Sequence, residues 1–295
     1  MRAYILGMRA PLLAALAALP LTMGAAGPVR AAEPGSSFTT LAFTTQVAGL
    51  SVMATEADVE LDATGYRIDI ATRTVGAFGL VMRGETRSLA QGRWAGTMAA
   101  ALVAPQRYAV DGAWRGTPRR TLMEYAAGQP TLLRLEPAND TEREPVPPDL
   151  QRETIDTISA AALLARRATT TGRCDGEART YDGRRLFEVA VRSGGWEILP
   201  PQALPISVGP TLRCDFEGRL LAGFPRDADR ESVARPQLGT AWLARLSPGA
   251  PLLPVRMRFD MRWMGSATMT LTAATQSGAP LVRQRADAAL APPRR

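Results

Sequence analysis

The sequence predicts a mainly β protein: a large curved antiparallel sheet, a barrel or part-barrel, wrapped around one buried helix. Three observations predict it. Apolar and polar residues alternate with period two along much of the chain, with Gly- and Asp-containing turns between the runs. One segment, Asp156–Arg167, has the length and apolar content of a buried helix. The regular strand–helix alternation of a parallel sheet is missing. A sandwich, or two domains split at a proline-rich stretch, stays open at this level.

Residues 1–31 are expected to form a leader. Arg2 and Arg9 form a basic start, "APLLAALAALPLTMGAA" is apolar, and Val29 and Ala31 sit where a cut would fall. This is the pattern of a secretory signal peptide. Pro20 and the short apolar run argue against a membrane anchor, since a spanning helix needs roughly 20 apolar residues. The expectation is a periplasmic protein, with no transmembrane segment in the mature chain.

One β-rich domain is expected over 32–277. Val59 and Leu61 alternate with Asp58 and Glu60, then Asp62 and Gly65 turn the chain, and Tyr66, Ile68 and Ile70 alternate back. Such a pair reads as a half-buried hairpin. "GAFGLVMRG" (76–84) is either a helical turn or a buried crossover. Strand-like pieces follow at Glu85–Leu89, Arg107–Arg115, Arg119–Tyr125 and Thr131–Leu135. "EPANDTEREPVPPDLQ" (136–151) is polar and proline-rich, hence a linker or exposed loop. Asp156 is placed to cap the helix 156–167, and Arg166 and Arg167 suit its C-terminal end. Strands resume with Phe187, Val189 and Val191 on one face. A turn is expected at Glu217-Gly218, and "RDADRESVARPQ" (226–237) reads as a charged loop. The clearest strand puts Val255, Met257, Phe259, Met261 and Trp263 on one side and Arg256, Arg258, Asp260 and Arg262 on the other. A turn at Met264-Gly265-Ser266 leads into its return strand. The Ala-, Pro- and Arg-rich tail, 278–295, reads as disordered.

Composition removes much chemistry. The chain has 35 basic residues, all of them Arg, and no His. Without imidazole or lysine there is no Ser-His-Asp or Cys-His relay and no Schiff-base lysine. Two cysteines without His do not make a usual zinc site, so no metal and no cofactor are expected. The formal charge is +7, and three of those charges, Arg2, Arg9 and Arg30, lie in the leader. The remainder is spread out, which argues against nucleic acid as a partner. A paired-carboxylate hydrolase is the main enzyme class left open.

Few residues stand out as sites. Cys174 and Cys214 are an even pair in a chain read as secreted, most simply a disulfide. Asp175-Gly176 and Asp182-Gly183 read as turn formers rather than catalysts. Ser159 has no base beside it and reads as a small packing residue. Met257, Phe259, Met261 and Trp263 could face an apolar ligand, because Met suits promiscuous apolar contacts. Arg256, Arg258 and Arg262 could contact an anion, or form a solvated outer face.

The order of these motifs resembles the bacterial envelope family known as domain of unknown function 3108. The resemblance rests on "GLSVMATEADVELDATGYRIDIATRT", "DTISAAALLARR", "CDGEARTYDGRRLFEVAV", "LRCDFEGRLLAGF" and "LPVRMRFDMRWMGSATMTLTA", together covering about Phe38 to Ala274. It implies a secreted, mostly β protein with no assigned reaction and no catalytic residues to carry over. By analogy of fold it is similar to periplasmic lipid or lipoprotein carriers. The functional expectation is a non-enzymatic envelope protein that binds an apolar or amphipathic ligand, a lipid or an envelope protein in the concave face of its sheet. The alternatives are a carboxylate-based hydrolase of envelope glycans and a purely structural interaction module.

Overall fold

The structure is a computed structural model. It describes residues 38–96, 102–138, 142–261 and 265–282. The expected leader, Arg262, Trp263, the turn residue Met264 and the tail from 283 lie outside the described residues.

Among the described residues, fourteen strands form a single antiparallel sheet. They are β1 (Thr39–Val47), β2 (Leu50–Leu61), β3 (Gly65–Thr74), β4 (Gly84–Ala95), β5 (Leu102–Trp114), β6 (Thr117–Ala126), β7 (Gln129–Glu136), β8 (Gly176–Tyr181), β9 (Leu186–Glu197), β10 (Thr211–Ala222), β11 (Gln237–Arg245), β12 (Leu252–Met261), β13 (Gly265–Gln276) and β14 (Ala279–Pro280). Two meanders, β1–β7 and β8–β13, are joined side by side where β1 pairs with β13. The strands on both sides of the proline-rich stretch therefore share one sheet. The short β14 pairs with β13, so the first residues of the expected tail extend the fold.

The sheet is curved but not closed, with β7 and β8 at its two ends. Loops and side chains bridge the gap. Arg184, in the β8–β9 turn, donates to the carbonyls of Glu136 and Pro137, at the end of β7. The Glu144 N–H donates to Phe224 O at 2.9 Å, and the Arg226 N–H to Glu142 O at 3.1 Å. Ile155 exchanges backbone hydrogen bonds with Arg179 and Tyr181, which covers the open edge of β8.

Three α-helices are described: α1 (Gly76–Val81), α2 (Thr157–Thr171) and α3 (Arg230–Ala234). The long one, α2, lies against the inner face of the sheet, with Ala162, Leu163, Ala165 and Ala168 buried. Asp156 caps its N-terminus by accepting from the Ser159 N–H, and Gly172 ends it at φ 70°, a left-handed cap that glycine adopts without strain. The helix runs four residues past the expected Arg167. Thr169, Thr170 and Thr171 are β-branched and weak helix formers, which reads as a stop. In the fold their hydroxyls bond carbonyls one turn back, and Thr169 Oγ1 also accepts the Leu252 N–H at 2.8 Å, tying the helix end to β12.

Other local expectations change. The turn expected at Glu217-Gly218 is absent, because β10 runs unbroken from Thr211 to Ala222, paired on both sides by β9 and β11. Two partner strands override a local Gly signal. Gly265 and Ser266 belong to β13 rather than to a turn. The 76–84 segment contains the exposed helical turn α1, and the charged 226–237 loop contains α3, capped by Asp229 accepting from the Ser232 N–H.

Candidate functional site: an apolar hollow behind the helix

The two flanks of α2 meet the sheet differently. On one flank Tyr66 donates to Ser159 Oγ at 2.5 Å, and Ser159 Oγ donates to Asp156 Oδ2 at 2.5 Å. This buried chain of hydroxyls fixes the helix to β3. Burial pushes the Asp156 carboxyl up to about 6, although the Ser159 hydroxyl and backbone N–H groups favour its charged form. Burial also raises the phenols of Tyr66, Tyr108 and Tyr125 well above the usual tyrosine range and that of Tyr181 to about 12. All four stay neutral at physiological pH. The Tyr125 hydroxyl is buried and has no hydrogen-bond partner among the described residues. Nothing in the sequence around Ser159 shows this role, because its partner is 93 residues away.

The other flank presents Thr157, Ala160, Ala161, Leu164 and Arg167 to β8–β12. Alanine is too short to reach the sheet, so a hollow of about 360 Å³ remains. Val189, Val191, Phe216, Leu238, Met257 and Phe259 line its sheet side. The volume falls within the usual range for small-molecule sites, about 300–1,000 Å³. Leu238 and Phe259 are exposed, so they mark where the hollow meets solvent.

Glycine shapes one wall. Gly239 sits in register with Phe216 on one side and Phe259 on the other. A Cβ there would lie 2.3 Å from the Phe216 ring. Its absence lets the two rings meet edge to face over β11, centroids 5.6 Å apart.

The disulfide lies at the inner end. Cys174 and Cys214 are bonded, with Cα atoms 6.0 Å apart, and Cys174 lines the hollow. Asp175 braces it by accepting from the Ser193 N–H at 3.1 Å and the Ser193 hydroxyl at 2.7 Å, and Ser193 Oγ accepts the Cys174 N–H at 2.8 Å. The Ser193 donors and Arg173 hold the Asp175 carboxyl down at about 2. Asp175 is thus a brace across to β9, more than a local turn former. Asp182 does form a turn, accepting the Arg184 and Arg185 N–H groups at 2.9 and 2.7 Å.

The profile of DUF3108, described as a protein of unknown function, matches residues 37–272. The chain belongs to the DUF3108 family. No curated protein matches it. Among solved structures it is similar to a β-barrel-like protein of domain of unknown function DUF1849 from Brucella abortus, at 11% identity and a TM-score of 0.47, covering 82% of this chain and 97% of that one.

In this DUF3108 chain the residues singled out from sequence fall in different places. Met257 and Phe259 line the hollow, Met261 ends β12 without lining it, and Trp263 lies outside the described residues. Arg256 faces away and donates to Ala203 O at 2.6 Å; Arg258 pairs with Asp260 at 3.6 Å; Arg262 lies outside the described residues. The acids lining the hollow already carry arginine partners: Asp182 with Arg185, Glu177 with Arg192 and Asp260 with Arg258. Sequence reasoning placed Phe187, Val189 and Val191 on one face but did not join them to the site; they form its β9 side. A larger groove of about 1220 Å³ lies between residues 201–205 and Arg256, Thr268 and Thr270, and its lining is rich in hydroxyls.

Proposed function

We propose that this DUF3108 protein is exported to the periplasm and holds an apolar or amphipathic ligand, such as a single acyl chain, between α2 and β8–β12. The apolar hollow carries this reading. It is lined by branched, aromatic and thioether side chains, and it exists because Ala160 and Ala161 stand off from the sheet. Arg185 and Asp182, paired at its edge, offer a polar margin for a headgroup. Displacement of an environment-sensitive apolar fluorophore by free fatty acid tests it. The expected result is saturable binding that Ala161→Trp abolishes while the fold is kept. Equal binding by wild type and Ala161→Trp would refute it.

A further inference from the structure

The rim of the sheet at the α1 end carries a second apolar surface, separate from the hollow. Val47 pairs with Leu50, Met53 with Thr74, and Gly84 with Trp114, so the β1–β2 turn, α1 and the β5–β6 turn lie side by side along one edge. The contacts are direct: the Val75 N–H donates to Val52 O at 3.0 Å, and the Arg115 N–H to Arg83 O at 2.8 Å. On this edge Leu80 is 89% exposed, Val81 81% and Leu50 69%, with Phe78 beside them. Single exposed leucines are ordinary; four large apolar side chains on adjacent turns form a patch that needs a partner.

The charges beside the patch are mostly positive. Segments 47–52, 74–84 and 113–118 contain Arg83 and Arg115, and just beyond them the exposed Glu85 stands in register with Arg73 of β3. Arg83 and Arg115 are exposed. No residue of α1 is buried, so the protein's own fold does not use this apolar surface. A protruding apolar tip flanked by cations has the composition of an interfacial anchor: the apolar side chains enter the acyl boundary and the guanidinium groups remain among anionic headgroups.

We propose that this rim docks the protein reversibly on an anionic lipid bilayer. Leu50, Phe78, Leu80 and Val81 insert, and Arg83 and Arg115 contact the headgroup phosphates. Binding is weak and salt-sensitive, because so few apolar side chains are available.

Co-sedimentation of the purified protein with phosphatidylcholine vesicles, with and without phosphatidylglycerol, tests this. The expected result is binding only when phosphatidylglycerol is present, falling as salt rises. The pair Leu80→Glu and Val81→Glu weakens it about tenfold or more, and so does the pair Arg83→Gln and Arg115→Gln. These side chains are exposed, so both variants keep the wild-type circular dichroism and the fluorophore binding of the hollow. Wild type left in the supernatant with anionic vesicles would overturn the proposal. So would variants that sediment like wild type, or a wild-type dimer in solution that Leu80→Glu dissolves, which would make a second copy the partner.

Discussion

The β3–β6 wall and the β8–β12 wall face the same helix, yet one is filled and the other is hollow. Tyr66, Ile68, Ala90, Tyr108 and Met123 form a buried inner surface on the first. Phe187, Val189, Val191, Met257 and Phe259 stand back from α2 on the second. The difference lies in the helix more than in the strands. Ser159 and Ala162 are buried on the filled side, where a hydroxyl is pinned by Tyr66; Ala160 and Ala161 leave a gap on the other. One turn of helix thus combines an anchor with a vacancy.

The largest change should come from the hollow wall. Replacing Cys174 and Cys214 together by serine removes a crosslink spanning 40 residues, which the chain-entropy account values at about 4 kcal/mol. Denaturant unfolding with and without reductant measures it; a loss under about 1 kcal/mol would show that the hollow wall does not depend on the staple.

The anchor on the filled wall gives the next effect, through pH. Folding raises the Asp156 carboxyl from an ordinary 3.8 to about 6. Between those values the folded chain holds a proton that the unfolded chain has released. Stability from this group is therefore lost as pH rises from about 4 to about 6, by at most about 3 kcal/mol. Asp175 works the other way: its lowered carboxyl contributes stability that is lost as pH falls below about 4. The difference between wild type and Asp156→Asn isolates the anchor, and the variant should gain on wild type across that window. A flat difference would mean that the carboxyl is not desolvated.

A paired substitution then compares the two flanks of the helix. Ala162→Phe, on the filled side, should cost about 1–3 kcal/mol by overpacking. Ala161→Phe, facing the hollow, should cost less than about 0.5 kcal/mol, since the new ring has room. Equal costs would erase the proposed contrast. Tyr66→Phe should cost about 1 kcal/mol for one buried hydrogen bond to Ser159, read from thermal unfolding.

What the sequence shows of this contrast follows the range of the interactions. The alternation of Met257 and Phe259 with Arg256 and Arg258 is local, and both apolar residues lie on the face that lines the hollow. The Asp182-Gly183 turn and the Cys174–Cys214 pair are also legible, one from turn chemistry and the other from the cysteine count. The anchor is not legible, since Ser159 meets a tyrosine from a distant strand. Nor is the hollow, because an alanine facing a void and an alanine packed in a core look the same in one dimension. Gly218 misleads for a related reason: a local turn signal yields to strands paired on both sides.

The central claim is that the space left by Ala160 and Ala161 is a binding site, and titration of wild type and Ala161→Trp with one fluorescent fatty acid tests it most directly. Saturable binding to wild type and none to a folded, equally stable Ala161→Trp is the predicted result. Identical titration curves for the two proteins would contradict it.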